Sequence, residues 1–138
     1  MNKYNTVDEM LMELELNDKV FKTDPLKKFS DEKSKVDRFN NKYLVELKSR
    51  GHSIDKIKLW GGATIERDKY QTLMRECGDK IPAYINKFPC GTYYSWDLKK
   101  IKEPSWYEKM YNKSTVENKG LRNKIVGDLQ FEDGTKII

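Results

Sequence analysis

The 138-residue chain is long enough for one compact domain with its own core, read here as a core over residues 6–98 and a basic C-terminal extension over 99–138. A hydrophobic fraction of 37% against a charged fraction of 36% calls for a lean core under a heavily charged surface, and 12% aromatic residues exclude a disordered chain. The net charge is +5, no run is apolar enough to span a membrane, and "MNKYNTVDEM" has no signal-type stretch, so the expectation is a cytoplasmic protein without a membrane partner.

In chain order, residues 6–16, "TVDEMLMELEL", predict a helix. Val7, Met10, Leu11 and Leu14 form an i, i+3, i+4, i+7 stripe expected to face the core, with Thr6 as cap and Asp8 and Glu9 in the first turn. "KVFKT" (19–23) predicts a short strand, and "DPLKKFSDEKS" (24–34) a polar connection. Residues 36–50, "VDRFNNKYLVELKSR", predict a hairpin. "GHSIDKIKLWGGAT" (51–64) reads as irregular, with "DKIKLW" as a short strand. "ERDKYQTLMREC" (66–77) predicts a second helix with a stripe of Tyr70, Leu73, Met74 and Cys77, stopped by Gly78. "IPAYINKF" (81–88) and "GTYYSWDL" (91–98) predict strands around Pro89-Cys90. Beyond 103, "SWYEKMYN" suits a helical turn or two, and "NKIVGDLQF" strand or loop. Helix, three strands, helix and two strands predict an α/β (α+β) sheet with helices packed on it. Cys77 and Cys90 match no metal spacing and are expected as reduced thiols.

The hairpin carries the chemistry. With Asn40-Asn41 as a two-residue turn, Phe39 pairs with Lys42, Arg38 with Tyr43, Asp37 with Leu44 and Val36 with Val45. Faces alternate along each strand, so Val36, Tyr43, Val45 and Leu47 form an apolar face with Arg38 at its rim. The other face holds Asp37, Glu46 and Lys48. Asp37 and Glu46 fall on a diagonal about 7 Å apart, close enough to share a divalent cation. Lys48, one step on, can meet a phosphate or an attacking water, which suits phosphodiester hydrolysis. The competing reading is a solvent-facing surface with an ion pair. E-x-K recurs at Glu117-Asn118-Lys119, and Asp97-Leu98-Lys99 is a close variant. Only the copy at Glu46 has a strand setting and an acid on the neighbouring strand.

Residues 99–124 gather Lys99, Lys100, Lys102, Lys109, Lys113, Lys119, Arg122 and Lys124 against Glu103, Glu108 and Glu117. Such an excess of positive charge suits a polyanion, nucleic acid first, or is a solvated lysine surface.

The stretch "SKVDRFNNKYLVELKSR", with its preceding helix and the following "ATIERDKYQTLM…IPAYINKFPCGTYYSWDL", resembles the PD-(D/E)XK nuclease superfamily over residues 6–98. The resemblance implies a restriction-endonuclease-like αβββαβ core, a central mixed sheet flanked by helices. It also implies a metal-dependent nuclease using Mg²⁺ or Mn²⁺. Asp37, Glu46 and Lys48 match the motif's catalytic positions, and Val36 stands where the namesake proline would be. Asp37, Glu46 and the backbone carbonyl of Leu47 would hold the metal with one glutamate of the first helix. Glu9, Glu13 and Glu15 are the candidates for that glutamate, Glu13 preferred. From position and charge, and not from the resemblance, Arg50, Lys99, Lys100, Lys102, Lys119, Arg122 and Lys124 are expected to contact nucleic acid, DNA rather than RNA. The small single domain looks more like resolvase- or phage-type nucleases than large restriction enzymes. A phage origin would place it in a host cell, and a homodimer is compatible with the family. The alternative is a non-catalytic module on the same fold that binds nucleic acid or a host protein.

Four further features carry expectations. His52 reads as a surface or phosphate-contacting residue, and Trp60 as a base-stacking or core-capping side chain. Tyr84, Tyr93, Tyr94 and Trp96 read as core, and Glu66 and Lys69 as solvated.

Overall fold

In the computed structural model, residues 3–30, 36–112 and 121–138 are described. The hairpin is present, with β1 over Arg38–Phe39 and β2 over Tyr43–Ser49. Its turn sits one residue later than expected: Arg38 faces Val45 and Phe39 faces Leu44. That leaves Asn41-Lys42 as the connection. Among the described residues, none other than glycine has a positive φ, so the left-handed turn proposed for Asn40-Asn41 is not formed. The Asn40 side chain closes the turn instead. Its Oδ1 accepts from the backbone N–H of Lys42 at 2.9 Å and of Tyr43 at 2.6 Å, and its Nδ2 donates to the Asp24 carbonyl at 2.9 Å. Moving the turn by one residue moves each partner by two, so the faces keep their composition. Asn40→Ala removes these bonds at a buried position, and an unfolding free energy lower by about 2 kcal/mol is expected in urea melts.

β2 runs parallel to β4 (Ile81–Lys87), from Tyr43 beside Ile81 to Ser49 beside Lys87. β4 pairs antiparallel with β5 (Tyr93–Asp97). With β8 (Thr135–Lys136) on the far edge, the order β1-β2-β4-β5-β8 makes a five-stranded mixed sheet. An isolated bridge, Lys27 to Phe39, extends the β1 edge. The return from β2 to β4 passes through α2 (Ile54–Leu59), β3 (Ala63–Glu66) and α3 (Arg67–Glu76). β3 belongs to a second, three-stranded antiparallel sheet in the order β3-β7-β6, with β6 over Tyr107–Asn112 and β7 over Leu121–Leu129.

Side-chain alternation on β2 and β4 feeds two cores. Val45, Leu47, Ala83 and Ile85 pack against Met12 and Leu16 of α1 (Lys3–Lys19) on one face. Leu44 and Tyr84 join Leu73 of α3, Ile65 of β3 and Trp96 on the other. Central strands buried on both faces are what a parallel pairing covered by other layers requires.

Several expectations are corrected. α1 begins at Lys3, so Thr6, Asp8 and Glu9 lie inside the helix and do not form its first turn. Its stripe of Val7, Met10, Leu11 and Leu14 faces solvent, and Met12 and Leu16 are the buried residues. "KVFKT" is no strand: α1 runs to Lys19, and the N–H groups of Val20 and Phe21 both donate to the Leu16 carbonyl. "DKIKLW" is helical because Ser53 caps it, its hydroxyl accepting from the Lys56 N–H at 3.2 Å, with Asp55 in the first turn. "ATIE" is an unforeseen strand, with Ala63 and Ile65 inward. Gly62 ahead of it has φ +132°, and a Cβ there would meet the Leu129 carbonyl oxygen at 2.6 Å, so only glycine lets β3 lie against β7. "SWYEKMYN" contributes to a strand, β6. Val36 packs with Leu44 and not with Val45. Arg38 does share the face of Val45, but it is 1% exposed and not at a rim.

Candidate functional site

A cavity of about 360 Å³ opens where the second sheet, α1 and α3 meet the polar face of the hairpin. Glu9, Asp37, Glu46, Lys48, Lys69 and Lys124 are among its lining residues. Asp37 precedes β1, and the register brings it directly opposite Glu46 and not diagonal to it. Its Oδ2 accepts the Leu47 backbone N–H at 2.8 Å, which fixes the carboxylate against β2. The contact seen at Leu47 is therefore through its N–H; the expectation concerned its carbonyl. Glu46 is only 7% exposed and lies beside Tyr84 of β4. Lys48 follows on the same face, which strand alternation dictates.

The helix glutamate at the site is Glu9. Glu13, preferred from the sequence, instead accepts from Arg38 Nε at 3.0 Å. Arg38 also donates to the Asp37 carbonyl at 2.8 Å and lies 3.8 Å from Glu9. Glu15 is further round, bonded to the Tyr93 hydroxyl at 2.7 Å and to Lys19 at 3.1 Å. The face of α1 against the sheet is thus Glu9, Met12, Glu13 and Leu16. It has the same i, i+3, i+4, i+7 spacing as the exposed stripe but is half acidic. A second helical stripe carrying two glutamates was the signal available in the sequence.

Burial first, and then the Asp37 charge, push the Glu46 carboxyl up to about 8, against the pull of Lys69. Lys69 Nζ lies 3.2 Å from Glu46, so Lys69 is not simply solvated. Although burial acts the other way, the Glu46 charge raises the Lys69 pKa. Burial and then Asp37 likewise raise Glu9 to about 7. At the opposite wall, Glu66 pairs with Lys124; burial acts to raise the Glu66 pKa, but the Lys124 hydrogen bond together with the charges of Lys124, Lys69 and Lys48 lowers it. Lys48 keeps an exposed flank, yet burial first and Arg50 second lower its pKa.

These shifts have a consequence for stability. A carboxyl raised in the folded state stabilises most fully below its ordinary range and loses that contribution as pH rises through the folded value, here between 4.5 and about 8 for Glu46. Glu46→Gln should therefore gain on the parent protein as pH rises, by at least about 1.4 kcal/mol at pH ~9, one pK unit's worth. Urea unfolding at pH ~5 and ~9 measures this. An equal or lower stability of the variant at the higher pH would mean that Lys69 keeps Glu46 ionised without penalty.

Other sequence-predicted residues separate. The Arg50 guanidinium donates to Asn86 Oδ1 at 2.6 Å, Tyr84 Oη at 3.1 Å and both oxygens of Thr64, so it ties β2, β3 and β4 together on the cavity wall. Lys99 Nζ donates to the carbonyls of Gly78 at 2.8 Å and Lys80 at 3.2 Å, beside the start of β4 and away from its Lys48 end. Lys100 and Lys102 are exposed. Arg122 is on β7 opposite Tyr111, and Lys119 lies outside the described residues. Of the basic segment, Lys124 alone among the described lysines lines the cavity. Trp60 is exposed and meets His52 edge-on at 4.9 Å, so it does not cap the core. Tyr93 and Trp96 are core as expected, while Tyr84 is both core and cavity wall. Cys77 and Cys90 are both free thiols.

Among the described residues, no three His, Cys, Asp or Glu side chains converge as a ready cation cage. The donor set nevertheless fits a hard cation in its chemistry. Asp37 and Glu46 face each other, Glu9 is close enough to feel the Asp37 charge, and both glutamates hold protons more tightly through burial first and the Asp37 charge second. No helix among the described residues is long and apolar enough to cross a membrane. No family model matches the chain, and no curated protein matches it.

Proposed function

We propose that the chain is a divalent-metal-dependent nuclease that cuts DNA, on a restriction-endonuclease-like core. The observation that carries this reading is the direct opposition of Asp37 and Glu46 across β1 and β2, with Glu9 and Lys48 in the same cavity. The strand order supports the fold: an acid-bearing hairpin, a parallel step through α3 to β4, then antiparallel β5. Asp37, Glu46 and Glu9 would hold Mg²⁺ or Mn²⁺, which supplies a bound water of lowered pKa and positive charge beside the phosphate. Lys48 faces the phosphate from the same strand and orients the attacking water. Lys69 Nζ lies 3.2 Å from Glu46, where a bound cation would compete with it for the carboxylate. Lys124 at the opposite wall offers positive charge to the nucleic-acid backbone.

The ion pair between Lys69 and Glu46 favours a second reading, a binding module whose acids serve only as salt-bridge partners. Purified protein incubated with Mn²⁺ or with a chelator, against linear duplex, single-stranded and branched DNA and RNA, separates the two. Metal-dependent DNA cleavage is expected. Binding without cleavage in any metal would leave the module reading standing.

A further inference from the structure

Of the three tryptophans, two are built into the fold. Trp96 is 0% exposed and donates from Nε1 to the Gln130 carbonyl at 2.8 Å. Trp106 meets the Tyr70 ring edge-on at 5.2 Å and donates to Glu103 at 2.7 Å. Trp60 is 60% exposed, beside Leu59 at 85%. An indole this open adds little to the core, and tryptophan is enriched where a surface makes contact. Its backbone is nonetheless fixed. The Trp60 N–H donates to the Lys56 carbonyl at 3.1 Å, the Gly62 N–H to the Ile57 carbonyl at 3.1 Å, and Gln130 Nε2 to the Gly61 carbonyl at 2.9 Å. The edge-on contact with His52 takes at most one face of the indole, and at this exposure the other is open to solvent.

The indole stands next to the cavity. The chain leaves the cavity wall at Arg50, just after β2, and returns to it at Thr64 in β3, where the Arg50 guanidinium bonds both Thr64 oxygens. Between them the chain runs out through α2, and His52 and Trp60 meet across the base of that excursion. His52 is two residues from Arg50, a span of at most about 7 Å. The charge around the indole is positive: residues 50–60 hold Arg50, Lys56 and Lys58 against Asp55 alone.

From this we infer that Trp60 is a stacking platform for an unpaired base of the nucleic-acid strand whose phosphate enters the cavity. The inference rests on the nuclease reading of that cavity and adds a substrate class to it: single-stranded or branched nucleic acid over intact duplex. Inside a duplex both faces of a base are covered by its neighbours, so an indole reaches a base only where stacking is interrupted. A cationic surface beside an aromatic platform is the combination that holds single strands, and it tolerates any sequence because every base has a π-face.

Binding of the full chain, in chelator and again with Ca²⁺, tests it. The probes are a single-stranded DNA oligonucleotide, a strand of the same length carrying abasic sites, and the duplex. The abasic strand keeps the phosphates and lacks the stacking faces. The parent protein should bind the base-bearing strand about tenfold more tightly than the abasic one. Trp60→Ala should lose that difference, with an unchanged circular dichroism spectrum, the parent's salt dependence and the parent's affinity for duplex. Trp60→Phe keeps an aromatic face and should retain most of the difference. Equal binding of base-bearing and abasic strands by the parent, or an unchanged preference in Trp60→Ala, overturns the stacking role alone, since metal-dependent cleavage is scored separately. A Trp60→Ala variant weakened as much on duplex overturns the requirement for an unpaired base. A parent that binds none of the three probes in either condition overturns this inference and the nuclease reading together.

Discussion

If the proposed nuclease reading holds, Lys48→Met is expected to retain divalent-metal binding and to slow cleavage by on the order of 10² or more, whereas Asp37→Ala is expected to lose the metal along with the activity. The first result follows from position. Lys48 is a cation on the same face as Glu46 and one step beyond it, so it can touch a phosphate or a water but cannot ligate a metal. Methionine keeps the length of the stem and removes the charge. The expected loss is that of one electrostatic donor to a transition state. The Asp37 result follows from its contacts: its carboxylate is held by the Leu47 N–H and is the charge that raises both Glu9 and Glu46. Removing it would take a proposed ligand away and remove one of the charges that, after burial, raise the two glutamates. Calorimetry with Mn²⁺ beside single-turnover cleavage decides the matter. Equal loss of metal binding in both variants would make Lys48 a structural element of β2. The ion pair to Glu46 is not that element, since Lys69 occupies it.

Glu13→Ala is expected to lower the unfolding free energy by about 3 kcal/mol, the scale set by stranding a buried charge. Arg38 is sealed between α1 and the sheet, with Nη2 buried and lacking a hydrogen bond. Its close acid is Glu13 at 3.0 Å; Glu9 is further away at 3.8 Å and faces the site. Loss of Glu13 therefore leaves the guanidinium almost uncompensated. The double variant Arg38→Met/Glu13→Leu removes both charges and fills similar volume, so it should recover most of the loss. Urea melts of the two variants provide the test. A cost below about 1 kcal/mol for Glu13→Ala would show that Glu9 alone balances Arg38.

The parts of this architecture legible in the sequence are those set by short-range periodicity. The face shared by Asp37, Glu46 and Lys48 was readable even with the turn misplaced, because a one-residue shift of the turn moves partners by two and leaves faces alone. α3, β4 and β5 were readable for the same reason. The rotation of α1 was not. Hydropathy favours the Val7-to-Leu14 stripe as the inner face, but the inner face has to supply acids to Arg38 and to the cavity. The preference for Glu13 over Glu9 is a consequence, since choosing among Glu9, Glu13 and Glu15 amounts to choosing that rotation. The second sheet was hidden because β3 is four residues long and pairs with β7 far along the chain. Lys69 and Lys124 were hidden too, because their acid partners are set by tertiary packing and not by any local spacing.

The parallel seam between β2 and β4 also sets a timetable for synthesis. β2 can pair with β1 as soon as the hairpin leaves the ribosome, but its other edge waits for a strand that begins roughly forty residues downstream. At about 5–20 residues per second this leaves "YLVELKS" open on one side for roughly 2–8 s. In the nascent chain Glu46 has its ordinary carboxylate pKa, so β2 then carries a full negative and a full positive charge on one face. Charges in mid-strand discourage pairing with foreign strands. Glu46→Leu should therefore raise the share of newly made protein found in aggregates.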